Sequence, residues 1–382
     1  MLFLVLKEVI TIKKILFGIT SLTLGGAERV LIDISNKLSE KYDITIFSIY
    51  DNGELKNDLN KNVKFKALYN CRYDELTKLQ KMWIPIKILL FSKIIYNKKI
   101  KQNYDTEIAF LEGPITRLFS TKNKDVHKIA WIHNDIEKVF GNDLKSKIKK
   151  YIDKNIYKKY NDLVFVSQDN MEKFQNIYND LNTENMHVIY NYIDKDLVIK
   201  KSNYNIKVEF DYNSINFLTV CRLVKQKAID RFIRVHSKLI KQGLKHKVYI
   251  IGDGPEKENL QKLIKQENVE DTFVLLGKKE NPYPYIKNAN YFCLLSEFEG
   301  YGMVLEEAKI LNKPIIITNT AARECIENYP KALILENSED EIYDGLYKLL
   351  NDNDDKIFNN TQTSTEYDNT EKLQKIIELV GD

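Results

Sequence analysis

Two glutamates mark the segment of the chain with the clearest chemistry. Glu299 and Glu307 stand eight positions apart, with Gly300 and Gly302 between them and an apolar run at residues 291–295 before them. This order predicts a buried strand, a glycine loop and a helix, whose N-terminal N–H groups and dipole favour a phosphate. A carboxylate in the same place instead accepts hydrogen bonds from sugar or ribose hydroxyls. Phosphate and hydroxyls together indicate a nucleotide-sugar.

A second pair of charged residues follows another apolar run. Arg222 comes directly after residues 217–221, and Lys227 follows five positions later, ahead of a helical pattern. Two cations at the end of a strand can clamp a diphosphate, the guanidinium in bidentate contact and the ammonium as a point charge. The alternative is a solvated basic loop.

Three glycine-containing turns also follow apolar runs. Gly25 and Gly26 come after the first run, Gly252 and Gly254 after a later one, and Lys278 directly after the next. Glycine lets the backbone approach a phosphate closely, and the turns before helices place a helix N-terminus beneath it. Each could equally be a structural turn. None matches a P-loop or the dinucleotide-binding fingerprint.

One histidine stands at a position where a ligand could reach it. His133 follows the apolar run at residues 129–132, so it is either a site residue or a residue of the next loop. His236 and His246 fall in amphipathic or mixed stretches and are expected on the surface.

The elements that must position these residues alternate between strand and helix patterns. The predicted strands cover residues 15–19, 44–49, 106–111, 129–132, 163–166 and 187–189, then 217–221, 247–251, 272–276, 291–295 and 314–318. Amphipathic stretches at residues 27–38, 228–242 and 255–266 predict helices. Such alternation predicts an α/β protein with parallel sheets covered by helices. Two successive sets predict two Rossmann-like domains.

Domain boundaries follow from the polar stretches. We expect an N-terminal domain at residues 1–193, a linker at 194–216, a second domain at 217–365 and a C-terminal helix at 366–382 that can pack back on the first domain. The apolar segment at residues 1–12 is too short to span a bilayer and has no signal-peptide cleavage pattern.

Composition narrows the class of protein. The 382 residues carry a net charge of +4, and residues 1–190 hold 31 Lys and Arg against 23 Asp and Glu. The basic first half indicates an anionic partner, such as a membrane surface or a phosphorylated substrate, or else only drift of surface charge. No nucleic-acid-binding motif occurs. The four cysteines form no disulfide or zinc pattern, which favours a reducing compartment.

A basic segment with aromatic and aliphatic residues lies between Lys78 and Lys101. It contains seven lysines and no acidic residue, and Pro85 interrupts it. Such a helix could lie on an anionic membrane or admit a lipid-linked acceptor. A packed helix with a basic outer face is the alternative.

Taken together, these passages resemble the retaining GT-B glycosyltransferases of group 1, or family 4. The resemblance extends from about Lys14 to the final helix. Its motifs are Gly-Gly-Ala-Glu-Arg at residues 25–29, Arg222 with Lys227, Gly-Asp-Gly-Pro at 252–255, and Glu299-Gly-Tyr-Gly with Glu307-Ala. Two departures are Ala228, where the family often has glycine, and the apolar first dozen residues.

The resemblance implies that the domain at residues 217–365 holds the nucleotide-sugar donor and that the domain at 1–193 holds the acceptor. It also implies a role for each of these residues. Arg222 and Lys227 would neutralise the donor diphosphate, Glu307 would hold the ribose hydroxyls, and Glu299 would lie near the transferred sugar. His133 matches a histidine near the anomeric centre. The other donor contacts implied are Gly25 and Gly26 across a cleft, Gly252 and Gly254, the backbone near Lys278, and the loop of Gly300, Tyr301, Gly302, Met303 and Val304.

The expected function is therefore transfer of a sugar, with retention, from a nucleotide-sugar to a saccharide or lipid-linked acceptor. UDP is the expected nucleotide, on family frequency, and the expected pathway makes a surface polysaccharide such as a capsule, or a glycolipid. The Asp-x-Asp spacing at Asp194 and Asp196 falls in the predicted linker, so no metal or cofactor is expected. The protein is expected in the cytoplasm, at the inner face of the membrane. The alternatives are a nucleotide-sugar 2-epimerase with the same fold and a partner subunit without turnover.

Overall fold

A computed structural model of the chain describes residues 12–23, 25–51, 53–73, 75–100, 103–121, 125–134, 144–352 and 367–381. The predictions about the first eleven residues and about Lys101 lie outside these residues, as does the end of the predicted second domain at residues 353–365. The chain divides into two compact units. Unit 1 comprises Met1–Tyr192 and Asn369–Asp382, and unit 2 comprises Ile193–Asp368.

Unit 1 is built on a parallel sheet of seven strands. They are β1 (Lys14–Ile19), β2 (Asp43–Tyr50), β3 (Lys64–Tyr69), β4 (Thr106–Ala109), β5 (His127–Ile132), β6 (Asp162–Phe165) and β7 (Met186–Val188). Their order in the sheet is β3-β2-β1-β4-β5-β6-β7. The order reverses between β1 and β4, which makes that pair the topological switch point where such sheets bind ligands.

Unit 2 repeats this plan with six parallel strands. They are β8 (Ile215–Val220), β9 (His246–Ile251), β10 (Phe273–Gly277), β11 (Tyr291–Leu294), β12 (Ile315–Thr318) and β13 (Ala332–Leu335). Their order is β10-β9-β8-β11-β12-β13, so the switch point lies between β8 and β11.

Helices connect the strands, as parallel sheets require. Those of unit 1 are α1 (Gly26–Leu38), α2 (Lys78–Lys99), α3 (Pro114–Phe119), α4 (Leu144–Tyr157), α5 (Gln168–Ile177) and, from the C-terminus, α12 (Thr370–Gly381). Those of unit 2 are α6 (Lys195–Ser202), α7 (Ile229–Lys241), α8 (Lys257–Gln266), α9 (Tyr283–Asn288), α10 (Met303–Ile310) and α11 (Glu339–Asp352). Part of the stretch expected as a linker thus forms α6.

The amphipathic pattern at residues 228–242 correctly predicts which side chains of α7 face the sheet. On α7, Phe232, Ile233 and Leu239 are at most 2% exposed and belong to the core of unit 2. Burying side chains of this size contributes about 1.5–3 kcal/mol each. In β1, a Cβ on Gly18 would lie 2.5 Å from the ring of Phe119, so glycine here allows α3 to approach the sheet closely.

These sheets confirm the predicted α/β class with two Rossmann-like domains. Two strands were not predicted, β3 and β13, and each lies at an edge of its sheet. β3 begins with an exposed lysine and is otherwise only half-buried, and β13 contains an exposed isoleucine. Edge strands face water on one side, so they lack the continuous apolar run that marks a central strand.

The surface placement expected for His236 and His246 is wrong. Both side chains are buried, at 0% and 2% exposed. Their rings are joined by a hydrogen bond of 2.8 Å between His236 Nδ1 and His246 Nε2, and His236 Nε2 lies 2.8 Å from Thr272 Oγ1. Burial lowers the pKa of His236 to about 2 and that of His246 to about 4, so both are neutral. The hydrogen bonds satisfy ring nitrogens that would otherwise oppose burial.

The helix α12 packs within unit 1. Ile376 and Val380 are fully buried, and the Val380 carbonyl accepts a hydrogen bond of 2.9 Å from Thr106 Oγ1 in β4. Lys13 donates to the Gly381 carbonyl at 2.7 Å. Nowhere in the described part of the chain is a helix both long and apolar enough to cross a bilayer.

Candidate functional site

The loops after β8 and β11 meet at the switch point of unit 2. The loop after β8 carries Arg222, a short 3₁₀ turn at Lys225–Lys227, and Ala228 in the left-handed region, with φ of 47°. The loop after β11 carries Glu299 and Gly302, where α10 begins. Because parallel strands end at one edge of the sheet, the two predicted groups of site residues lie on the same edge.

The glycine turn after β9 is packed against the same loop. A Cβ on Gly252 would lie 1.8 Å from the Cys221 carbonyl oxygen, and one on Gly254 would lie 2.4 Å from that of Leu223. Gly252 also has a φ of 151°, and the Leu223 amide donates to the Asp253 carbonyl at 2.9 Å. Any side chain at either position would push the two loops apart. These glycines therefore hold the loop after β8 in place.

The centre of this edge is an ion pair between Lys227 and Glu299. The Lys227 ammonium contacts Glu299 Oε1, and both side chains are largely buried, at 15% and 7% exposed. Ser296 Oγ donates a hydrogen bond of 2.5 Å to the same oxygen. Gln226 Nε2 donates to the Phe298 carbonyl at 2.9 Å, so the two loops are also joined beside the pair. A partly buried ammonium in this position can pass from a carboxylate to an anionic ligand.

The second glutamate is held by a tyrosine. Tyr283 OH, at the start of α9, donates a hydrogen bond of 3.1 Å to Glu307 Oε1. Glu307 lies on α10 and is half-buried, whereas Tyr283 is 7% exposed. The neighbouring Glu306 points inward and is bonded by the hydroxyl of Tyr301. Glu307 is thus on the accessible side of the helix, while Glu306 anchors the loop that precedes it.

The start of α10 can bind an anion through its backbone. Gly302, the residue that precedes Met303 and Val304 of the helix, has a φ of 74° and no side chain to cap the helix. The first N–H groups of a helix have no partner within the helix. Arg222 and Lys278 are exposed, and Arg222 forms no ion pair with any residue that the structure describes.

In unit 1 the corresponding edge carries Gly25, Gly26 and His133. Gly25 precedes α1 with no side-chain cap and an extended backbone, and the Glu28 carboxylate folds back so that a Cβ on Gly25 would lie 2.2 Å from Glu28 Oε2. The Gly25 carbonyl accepts from the Arg29 amide at 3.0 Å, which begins the helix. The Glu28 carboxylate therefore covers Gly25 at the start of α1.

His133 is neutral and fixed. Burial lowers its pKa to about 3, and its ring lies 4.7 Å from that of Phe110. Its Nε2 has no hydrogen-bond partner among the residues that can be described. Glu112 accepts hydrogen bonds from the backbone amides of His133 and Asn134, at 2.6 and 2.7 Å. Burial raises the pKa of Glu112, while these hydrogen bonds act in the opposite direction.

Within unit 2 the structure joins Lys227 to Glu299 and packs Gly252 and Gly254 against the loop that carries Arg222. Glu307 lies on the helix that follows Gly302, Lys278 follows β10, and Gly25, Gly26 and His133 lie in unit 1. Three contributors were missed in the sequence: Ser296, Tyr283 and Glu112. Ser296 and Glu112 follow apolar runs, so their position was a signal, but neither belongs to a glycine motif. Tyr283 could be found only through its contact with Glu307. In the described part of the chain, no group of three or more His, Cys, Asp or Glu side chains could hold a metal ion.

Known proteins resemble this chain in sequence and in fold. Residues 200–364 match the family model described as Glycosyl transferases group 1. The N-acetylgalactosamine-N,N'-diacetylbacillosaminyl-diphospho-undecaprenol 4-alpha-N-acetylgalactosaminyltransferase of Campylobacter jejuni is 28% identical over 342 residues, which cover 87% of this chain and 89% of the relative. The poly(ribitol-phosphate) alpha-N-acetylglucosaminyltransferase of Staphylococcus aureus is 25% identical over 68% of this chain and 51% of its own length.

Solved structures show the same architecture at lower identity. HepE from Anabaena, in complex with UDP and glucose, superposes with a TM-score of 0.72 at 16% identity, covering 96% of this chain and 98% of HepE. WaaG, a glycosyltransferase of lipopolysaccharide biosynthesis, gives a TM-score of 0.68 at 12% identity and covers 96% of this chain and 99% of WaaG. The expected GT-B fold is confirmed.

Proposed function

We propose that this chain, a glycosyltransferase with a group 1 domain and the GT-B fold, transfers a sugar from a UDP-sugar to a saccharide or lipid-linked acceptor. The observation that carries this proposal is the Lys227–Glu299 pair at the switch point of unit 2, with Glu307 and the start of α10 on the same edge. The bound UDP of HepE and the diphospho-undecaprenol acceptor named for the C. jejuni relative support the choice of donor and acceptor.

In this proposal unit 2 binds the donor. Arg222 and Lys227 neutralise the diphosphate, and the free N–H groups at the start of α10 add partial positive charge. Glu307, oriented by Tyr283, accepts hydrogen bonds from the ribose hydroxyls. Glu299 exchanges its bond to Lys227 for hydroxyls of the transferred sugar when the ammonium moves to the phosphate.

The reaction we propose proceeds with retention of configuration. An acceptor hydroxyl attacks the anomeric carbon on the face from which the leaving group departs. The bond from that carbon to the diphosphate oxygen breaks as the new glycosidic bond forms. The hydroxyl proton passes to the departing phosphate, and the nucleoside diphosphate is released. Fixed cations stabilise the growing negative charge, so we propose transfer without a metal or other cofactor. Neutral His133 offers a hydrogen bond to a sugar hydroxyl.

We also propose that α2 attaches the protein to an anionic membrane surface. Residues Leu79, Trp83, Ile86, Leu90 and Ile94 follow one another at steps of three or four and are 38–68% exposed. They form an exposed apolar stripe, which we call the α2 stripe. The helix kinks at Phe91, so Ile94 belongs to the segment beyond the kink. Ile84 and Ile88 on the opposite face pack into the core of unit 1.

The charge of α2 supports a lipid surface as the partner of this stripe. Six lysines and no acidic residue lie within Lys78–Lys99. Apolar side chains flanked by lysines favour the boundary between anionic headgroups and acyl chains. The proposed site of action is therefore the inner, cytoplasmic face of the cell membrane, where lipid-linked acceptors for surface polysaccharides such as capsules, or for glycolipids, would be accessible.

The transferase proposal is tested by nucleotide release from a panel of UDP-, GDP- and ADP-sugars, with and without a lipid extract containing lipid-linked saccharides. We expect release from one UDP-sugar that depends on acceptor and resists EDTA, and product analysis that shows the anomeric configuration retained. Glu307→Ala should raise the donor KM, whereas Glu327→Ala, a change at an exposed glutamate of unit 2, should not. Release without acceptor dependence or a product of inverted configuration would contradict the proposal.

Membrane attachment is tested by sedimentation with vesicles of phosphatidylglycerol and phosphatidylcholine. The double variant Trp83→Ser, Leu90→Ser should bind vesicles about tenfold more weakly or worse, because two apolar side chains no longer enter the lipid. Tyr347→Ser, at an exposed aromatic residue of unit 2, is the matched control. If the double variant binds vesicles as well as Tyr347→Ser does, or if binding does not depend on phosphatidylglycerol, the α2 stripe is not the membrane contact.

A further inference from the structure

A pocket of about 380 Å³ in unit 1 is lined by Asp51, Gly53, Glu54, Lys56 and Arg72. We propose that this pocket, here called the 51–72 pocket, binds the saccharide end of the acceptor. The inference rests on the proposed transferase function and deepens it, because it assigns residues of this chain to acceptor recognition.

The position of the pocket in the sheet favours a ligand site. Asp51 directly follows β2, and Arg72 lies three residues beyond the end of β3. The Asp51 amide donates to the Tyr69 carbonyl at 2.9 Å, so the segments that leave these two strands are joined where the pocket begins. The carboxyl ends of parallel strands are the edge at which α/β sheets bind their ligands.

The wall of the pocket is in direct contact with the glycine loop that follows β1. Gly53 has a φ of 137°, and a Cβ there would lie 1.8 Å from the Leu22 carbonyl oxygen. The Leu55 amide donates to the same oxygen at 3.2 Å. The segment that begins at Leu22 leads to Gly25 and Gly26 at the start of α1. A saccharide in the pocket would thus lie beside the loop that follows β1, at the switch point of unit 1.

The lining groups match a polyhydroxylated ligand. Asp51 and Glu54 can accept hydrogen bonds from hydroxyls, and Lys56 and Arg72 can donate to hydroxyl, ring or acetamido oxygens. The Lys56 ammonium lies 2.6 Å from Asp51, yet both side chains remain more than a third exposed, so a ligand can still reach them. Two acids and two bases give no net charge, which favours a neutral sugar over a strongly anionic group.

An aromatic ring at the rim adds an apolar surface. Tyr73 is 48% exposed, and its ring lies 5.4 Å from that of Tyr50 at the end of β2. A ring held in this way can pack against the C–H face of a pyranose. The ammonium of Lys81, on the first turn of α2, lies 4.9 Å from the centre of the Tyr73 ring. The pocket is therefore adjacent to the start of the α2 stripe, as a saccharide attached to a lipid requires.

Glu54→Gln and Arg72→Met test the pocket, because both residues are exposed and neither change should affect folding, which circular dichroism checks. Binding of p-nitrophenyl hexosides and N-acetylhexosaminides is followed by saturation-transfer NMR, and transfer to the bound glycoside by nucleotide release. Each variant should weaken glycoside binding and raise the acceptor KM by about tenfold, the loss expected for one charge-assisted hydrogen bond. Glu40→Gln, at an exposed glutamate after α1, is the control.

The outcomes separate this inference from the transferase proposal. Donor KM and the slow, acceptor-free hydrolysis of the donor should stay unchanged in both variants. If the wild type transfers sugar and both variants keep its acceptor KM and its NMR signal, the pocket is not the acceptor site. If the wild type never releases nucleotide but the variants lose glycoside binding, the pocket stands as a saccharide site and the proposed reaction fails. Wild-type protein that binds none of the glycosides would overturn the pocket itself.

Discussion

The two units share a strand order but present different chemistry at their switch points. In unit 2 the edge between β8 and β11 carries full charges, with the Lys227–Glu299 pair inside and Arg222 exposed. In unit 1 the loop after β1 carries Gly25 and Gly26, and His133, which follows β5, is neutral at physiological pH. The same strand order places loops at the switch point of each unit. The residues in those loops determine the chemistry. Our proposal therefore assigns charge stabilisation, together with the hydroxyl contacts of Glu299 and Glu307, to unit 2, and only a hydrogen bond from neutral His133 to the corresponding edge of unit 1.

The largest effect expected from this difference is at Lys227. Lys227→Ala removes a cation that offsets the charge of the leaving diphosphate and leaves Glu299 buried without its ionic partner. We expect kcat to fall about 10²–10³-fold, the range found when one group that stabilises a transition state is removed. Lys225→Ala changes an exposed lysine of the same turn and should have little effect. The rate of nucleotide release measures both effects. A fall in kcat of only a few-fold in Lys227→Ala would contradict the assignment of charge stabilisation to unit 2.

Acidification should lower the stability of the two units by different amounts. Unit 2 buries His236 and His246, with pKa values of about 2 and 4, while unit 1 buries His133 with a pKa of about 3. A buried neutral histidine takes up a proton more readily in the unfolded chain, whose histidine pKa is about 6.5, than in the folded one. The folded state therefore keeps its full stability above pH 6.5 and loses stability as the pH falls toward the folded pKa. At pH 5.5 the loss is about 1.4 kcal/mol per histidine, so unit 2 should weaken more.

Urea unfolding at pH 7.5 and pH 5.5 measures this difference. Both tryptophans, Trp83 and Trp131, lie in unit 1, and Trp131 is 1% exposed, so tryptophan fluorescence reports on that unit. Circular dichroism reports on both. We expect the dichroism transition to shift more than the fluorescence transition, and His246→Asn to reduce that excess. Equal shifts of the two signals would contradict the assignment.

A smaller effect is expected at Glu112 in unit 1. Glu112→Ala removes the acceptor of the His133 and Asn134 amides, so the loop that carries His133 is no longer fixed. We expect kcat/KM to fall about tenfold, as for the loss of one hydrogen bond to a charged group. His133→Asn should have a clearly smaller effect in the Glu112→Ala background than in the wild type. Strict additivity of the two changes would show that Glu112 does not act through His133.

The smallest effect is expected at Tyr283. Tyr283→Phe keeps the ring and removes the hydroxyl bonded to Glu307, which should raise the donor KM about threefold to tenfold without lowering kcat. Tyr329→Phe, at a half-buried tyrosine of unit 2, controls for stability. A change in kcat alone would place Tyr283 in a different role from the orientation of Glu307.

Most of the fold could be predicted because central strands of a parallel sheet are apolar on both faces. Eleven of the thirteen strands in the described chain lie in runs marked from the sequence, and the missed ones, β3 and β13, are edges. The helix patterns predicted the positions of helices but not the burial of every polar side chain on them. The amphipathic segment that carries His236 was located correctly, but its histidine was expected outside. A pattern of residue types cannot show that two histidines and a threonine satisfy one another in the core.

The sequence by itself determined the order of strands and loops, and hence that Arg222, Lys227, Glu299 and Glu307 follow strands in one unit. Local chemistry is sufficient for this, since apolar runs, glycines and helix starts are signals of adjacent residues. Only the tertiary structure decided which of these side chains meet. Ser296 on Glu299, Tyr283 on Glu307 and Glu112 beneath His133 are contacts between separate segments. They depend on how neighbouring strands align, which no single stretch of sequence encodes.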